Sequence, residues 1–137
     1  MPRVLAIDYG LKRCGIAVTD EAQILAQPLT TVPTSDIWAF LNQYLTTETV
    51  SVIVLGFPTR TNGEDSHITE QVRTFSERLK AKFREQEICL IDERFTSKIA
   101  QQTLVLGGMK KKNRQDKANI DMVSAALILQ TYLEQQN

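Results

Sequence analysis

Three acidic positions, far apart in the chain, each stand where apolar sequence gives way to polar. Asp8 closes the run Val4-Leu5-Ala6-Ile7, and Asp92 with Glu93 closes Ile88-Cys89-Leu90-Ile91. Asp121 opens a helical stretch that is apolar almost all round, through Met122, Val123, Ala125, Ala126, Leu127, Ile128 and Leu129. Gathered carboxylates repel one another unless a divalent cation holds them, and Mg2+ or Mn2+ prefers such hard oxygen ligands. Two such ions about 4 Å apart can activate a water and stabilise the leaving oxygen of a phosphodiester. Each acid also has a plainer reading. Asp8 can help start a turn, and Glu93 can pair with Arg94 or Lys98. With Asn119 as the cap, Asp121 is expected in a first helical turn, where an acid complements the helix dipole.

Cations supply the complement. Asp8 is followed by Gly10-Leu11-Lys12-Arg13-Cys14-Gly15 and a second apolar run, which reads as strand, tight turn and antiparallel strand. Gly10 and Gly15 are expected to take positive φ and to let the backbone approach a bulky ligand. Lys12 and Arg13 suit phosphate, the one as a point charge and the other as a planar fork. Near the end of the chain, Lys110, Lys111, Lys112, Arg114 and Lys117 put five cations within a single short loop. Such a run grips a nucleic-acid backbone or is simply solvated. Beside Lys12, Arg13, Arg94 and Lys98 the first reading gains weight. The residues themselves point to a metal-dependent enzyme acting on nucleic-acid phosphodiesters.

These groups need elements to position them. A third strand is expected over Ile24 to Val32, at an edge because of Pro28. Pro33 to Asp36 stops it and offers a cap for a helix from Ile37. Ser51 to Gly56 is a short β-branched run suited to a strand buried on both faces, hence to a parallel sheet. A long amphipathic helix is expected over Glu64 to Glu85, with Ile68, Val72, Phe75, Leu79 and Phe83 on its apolar stripe. The strand Ile88 to Ile91, a helix capped at Thr96-Ser97 and ending at Gly107-Gly108, the basic loop and a final helix complete the order. The simplest arrangement is α/β: a five-stranded mixed sheet in the order 3-2-1-4-5, with helices on both faces. Sites in such sheets lie at the carboxyl ends of the parallel strands, where Asp8, Gly56 and Asp92-Glu93 fall.

Length and composition are those of one globular domain: 137 residues, 42% hydrophobic, 23% charged and no net charge. No apolar run reaches membrane-spanning length, and Met1-Pro2-Arg3 leads straight into a strand without a signal peptide, so a cytoplasmic location is expected. Cys14 and Cys89 read as buried, reduced thiols. With the single His67, they form no zinc site of familiar spacing. Zero net charge means that any polyanion must be met by local clusters.

The motifs together carry a resemblance. Asp8-x-Gly10-x-Lys12-Arg13-x-Gly15-x-Ala17, Val54-Leu55-Gly56-Phe57-Pro58, Asp92-Glu93-Arg94-Phe95-Thr96-Ser97, and Lys117 with Ile120-Asp121-x-x-x-Ala125-Ala126 resemble the YqgF/RuvX family over essentially the whole chain. The resemblance implies a single RNase H-like domain over residues 1–137 and a bacterial cytoplasmic nuclease. That family is described both as a pre-16S rRNA nuclease that matures the 5′ end and as a Holliday junction resolvase. It implies that Asp8, Glu93 and Asp121 are catalytic and hold Mg2+ or Mn2+ ions, with Asp92 as a nearby substitute; Glu64, after the loop that follows Pro58, is the spare candidate from the residues themselves. It also implies that pre-rRNA or branched DNA is the partner, met by a monomer or weak homodimer without a membrane. Many RNase H-like nucleases carry an acid at the end of the fourth strand, where this chain has Gly56-Phe57-Pro58. Glu93 must then reach from the fifth strand, its backbone about 9–10 Å from that of Asp8. Two rival classes remain. Actin-like ATPases also open with Asp-x-Gly but need two such domains. A non-catalytic RNA-binding factor of ribosome assembly would keep the fold without the chemistry.

Overall fold

The computed structural model of the chain describes residues 2–57, 66–92 and 117–136. In chain order the elements are β1 (Arg3–Tyr9), β2 (Arg13–Thr19), β3 (Ala26–Pro33), α1 (Ile37–Thr47), β4 (Val50–Phe57), α2 (Ser66–Lys82), β5 (Glu87–Asp92) and α3 (Lys117–Gln136). The strands form one five-stranded sheet in the order β3-β2-β1-β4-β5. β1 pairs antiparallel with β2 and parallel with β4, and β4 pairs parallel with β5. This is the mixed sheet expected from the sequence, with the first strand central.

β1 holds the centre because its apolar residues serve both faces. Val4 and Ala6 pack with Ala17, Val52, Val54 and Ile91 beneath Ala125, Ala126, Ile128 and Leu129 of α3. Leu5 and Ile7 pack with Ile16, Ile53 and Leu55 against Ile37 and Leu41 of α1 and Phe75 and Leu79 of α2. Strand side chains alternate between faces, so one continuous apolar run fills two cores. Fully burying a Leu or Ile contributes about 1.5–3 kcal/mol, and Leu129 is wholly buried. A few such residues suffice to fix α3 on its face. Small residues set its depth: Ala6 and Ala17 below and Ala125 and Ala126 above let helix and sheet come close.

Several boundaries differ from expectation for local reasons. β1 runs on past Ile7 to Tyr9, so Asp8 stands within the ladder, paired with Gly15. β3 starts at Ala26 rather than Ile24. The Asp20 carboxylate accepts the N–H groups of Ile24 and Leu25, and Gln23 takes φ 58°, which holds both residues in the turn. Pro28 lies on the edge strand, beside a register shift between Ile16 and Ala17. Asp36 precedes α1 but makes no side-chain capping bond. The expected helix of residues 96–107 and the basic loop lie outside the described residues, except that Lys117 opens α3. Among the described residues no helix is long and apolar enough to cross a membrane.

Candidate active site at the end of the central strands

The alternation that buries Val4 and Ala6 beneath α3 puts Asp8 on the same face. Its cross-strand partner is Gly15. On the other side Ile7 pairs with Leu55, so Gly56 stands one step further along β4. The row across the sheet therefore reads Gly15, Asp8, Gly56, a carboxylate between two positions that carry no side chain.

Gly15 explains how α3 reaches this row. A Cβ built there would lie 1.9 Å from the Asp121 carbonyl oxygen and 3.0 Å from the Met122 nitrogen. The helix backbone rests directly on the strand backbone, and only glycine permits that contact. At Gly10 a Cβ would lie 2.6 Å from the Arg13 carbonyl oxygen, because the turn folds back on itself. Neither glycine takes positive φ, so the expectation of left-handed residues making room for a bulky ligand is corrected. The close approach is to the protein's own backbone.

Arg13 shares its strand face with Gly15 and Ala17 and crosses to α3. Its Nε donates to Asp121 Oδ2 at 2.7 Å, joining residues 108 positions apart. Ionised partners make this contact short and strong for a hydrogen bond. The side chains of Arg13 and Asp121 are 37% and 27% exposed, and solvent screening limits such a pair to about 0.2–1 kcal/mol. Asp121 lies one turn inside α3, which begins at Lys117 rather than near Asn119. The helix dipole acts within the first turn, so it does not account for an acid here. The guanidinium does.

The turn between β1 and β2 is pinned from a third side. Thr34 Oγ1 donates to the Gly10 carbonyl at 2.6 Å, and the Thr34 N–H donates to the Lys12 carbonyl at 3.0 Å. Cys14 Sγ lies 3.6 Å from the same hydroxyl. Burial pushes the Cys14 thiol above its ordinary pKa, hydrogen bonds with Thr34 and Gly10 pull it back, and the charges of Asp8 and Asp121 raise it further. Both carboxylates are thus within electrostatic reach of one sulfur atom. Thr34 was not singled out in the sequence, where it is one polar residue in a strand-ending cluster. Gly15 followed by Ala17, two small residues alternating on one strand face, was the readable sign of a close helix.

The remaining expected site residues divide into three groups. Lys12 is exposed at the hairpin tip. Asp92 ends β5 in the same alternation as Ile88, which packs against the core under α1 and α2, so it sits on the face away from Asp8. Glu93, Arg94, Lys98, Lys110, Lys111, Lys112, Arg114 and Glu64 lie outside the described residues. Lys117 lies at the first position of α3. Among the described residues, no three His, Cys, Asp or Glu side chains gather as a metal site. The structure brings together Asp8, Arg13 and Asp121 around Gly15. Two carboxylates as donors suit Mg2+ or Mn2+ rather than a thiophilic ion. Cys14, with its raised pKa, belongs to the core on the other face.

A family model described as "RuvX: Holliday junction resolvase" matches residues 2–135. A protein of Flavobacterium psychrophilum is 50% identical over 133 residues, covering 97% of each chain. One of Porphyromonas gingivalis is 48% identical over 134 residues, covering 98% of this chain and 97% of its own. One of Bacteroides thetaiotaomicron is 47% identical over 134 residues with the same coverage. All three carry the name "Putative pre-16S rRNA nuclease". Among solved structures, Thermus thermophilus RuvC in complex with a Holliday junction superposes with a TM-score of 0.69 at 12% identity, over 99% of this chain and 96% of that one. That likeness establishes the RNase H-like fold of a five-stranded mixed sheet. Spanned almost end to end by the family pattern and by relatives near half identity, the chain belongs to the RuvX family.

Proposed function

We propose that this chain is a single RNase H-like nuclease domain that hydrolyses phosphodiester bonds of nucleic acid with Mg2+ or Mn2+, maturing the 5′ end of pre-16S rRNA. The observation that carries this reading is the row Gly15, Asp8, Gly56 with Asp121 and Arg13 closed over it. Acids and a guanidinium meet at the carboxyl end of the central parallel strand, where sites in such sheets lie. Asp8 and Asp121 would hold the cations. Glu93, the residue directly after β5, would be the third ligand, and its neighbour Asp92 is the weaker choice because of the face it occupies.

Bound ions would supply an activated water and a stabilised leaving oxygen. The chain's own residues supply placement and charge. Arg13 presents a planar fork to phosphate. Lys12 at the hairpin tip, with Arg94, Lys98, Lys110, Lys111, Lys112, Arg114 and Lys117, would grip backbone phosphates, fixing position without reading sequence. Free thiols at Cys14 and Cys89 support a reducing, cytoplasmic setting. The protein would work there as a monomer or weak homodimer.

The names of the relatives near half identity support an RNA substrate. The description of the family supports a second reading, cleavage of a four-way DNA junction. One experiment separates them. Purified protein with Mg2+ or Mn2+ is offered a pre-16S rRNA 5′ fragment and a four-way junction in parallel, with Asp8→Asn as control. Metal-dependent cleavage of the RNA at a defined position, lost in the control, is the expected result. Cleavage of the junction alone selects the second reading. Binding without cleavage of either substrate would make the protein an assembly factor.

A further inference from the structure

The pair Arg13–Asp121 holds a contradiction. A carboxylate that is to ligate a divalent cation already has a cation at 2.7 Å, bonded to Oδ2. Arg13 emerges from the hairpin that Thr34 pins in place, and Gly15 fixes the Asp121 backbone against the same strand, so both partners are held by the fold. Neither side chain is deeply buried, so water, ions and phosphate can reach the contact. A guanidinium and a divalent ion repel, and they compete for one anionic group. Phosphate, in turn, is a better match for the planar fork than a single carboxylate oxygen.

We propose that Arg13 is an exchangeable counter-cation for Asp121: it occupies the carboxylate in the resting protein and hands it over when a substrate phosphate takes the guanidinium. This rests on the reading of Asp121 as a metal ligand. Arg13 is then a positioning residue toward the metal and a contact toward the substrate. Metal binding and phosphate binding favour one another because each removes a competitor of the other. By linkage that coupling is reciprocal.

The sign of one measurement tests it. Mn2+ is titrated into the full chain without nucleic acid, followed by the electron paramagnetic resonance of the free ion. Arg13→Gln should bind Mn2+ roughly two- to fivefold more tightly than the parent, as expected when a screened ion-pair competitor is removed. It should bind a single-stranded oligonucleotide more weakly. Arg13→Lys, which keeps the charge without Nε, should fall between. A purely structural arginine predicts the opposite sign, because losing it would loosen Asp121 and weaken metal binding. Unchanged or weaker Mn2+ binding by folded Arg13→Gln therefore overturns the proposal and leaves the nuclease reading standing. No Mn2+ binding by the parent overturns both. If Arg13→Gln does not fold, the parent protein decides: its Arg13 Nε–H resonance should shift along the Mg2+ titration curve. A resonance unmoved at saturating Mg2+ overturns the proposal.

Discussion

Asp8 and Asp121 have the same chemistry and different surroundings, and their isosteric amides should behave differently. Asp8→Asn keeps shape and strand pairing and removes one negative charge. Its stability should stay within about 0.5 kcal/mol of the parent, while metal-dependent cleavage falls by several orders of magnitude. Asp121→Asn also takes the charge from the ion pair with Arg13, leaving at most a neutral acceptor, so it should lose up to about 1 kcal/mol as well as activity. Denaturant titrations alongside single-turnover assays check both, and normal cleavage by either variant removes that residue from the site. Activity losses in the double variant should scarcely exceed those in either single one, as expected of acids that hold the same ions as a unit. Cys14 gives a pH test. Its thiol pKa is raised on folding, chiefly by burial. The associated stability is full below the unfolded thiol pKa and is lost as pH rises through the folded one. Alkaline loss of stability should diminish in Cys14→Ala, read as Tm against pH. At this scale the places of Asp8 near the end of β1 and Arg13 at the start of β2 were legible in the sequence, because each borders an apolar run. The partnership of Arg13 with Asp121 was not, since no local rule links residues 108 positions apart.

Among the elements, α3 owes its position to what its neighbours lack. Gly15 has no side chain where the Asp121 carbonyl comes down, and Ala17 and Ala6 are small beneath the next turn. Gly15→Ala places a methyl 1.9 Å from backbone oxygen, and neither β2 nor the helix can yield without dragging its core. Overpacking of this kind costs typically about 1–3 kcal/mol, occasionally more. The helix should lift at its start, lowering Tm and carrying Asp121 away from Asp8. Loss of cleavage with nucleic-acid binding largely kept is the expected pattern, and an unchanged Tm would show that the contact is not rigid. Strand order and helix faces were readable in advance because hydrophobic period, the handedness of crossovers and Pro28 at an edge together constrain them. Val4–Ile7 and Ser51–Gly56 had to be central, being apolar on both faces. Boundaries were less readable where side chains rewrote the backbone bonding, as Asp20 does at Ile24 and Leu25. The role of Thr34 likewise came from a contact across the fold. The part played by Gly15 was misread as ligand approach, because a missing side chain says that something comes close without saying what.

For the whole molecule the governing fact is zero net charge. Long-range attraction to a polyanion is therefore absent on average, and nucleic acid must be held by local cations within a Debye length of about 8–10 Å at ordinary ionic strength. Lys110, Lys111, Lys112 and Arg114 lie together in sequence just before α3, the helix that carries Asp121. If they grip phosphates, each contact releases condensed counterions on binding, and log K falls with log salt by about 0.9 per contact for duplex DNA and about 0.7 for single strands. Replacing Lys110, Lys111 and Lys112 with Ala should thus reduce the slope by about two to three and weaken RNA and junction DNA to a similar degree. Mn2+ affinity without nucleic acid should not change, because the acids and Arg13 are untouched. Arg13→Gln should do the reverse, raising metal affinity a few-fold and moving the salt slope by about one. Fluorescence anisotropy across a salt series, run on both variants with both substrates, separates the two roles. An unchanged slope in the triple-lysine variant would return the loop to a solvated run and leave the grip to Lys12, Arg13, Arg94 and Lys98.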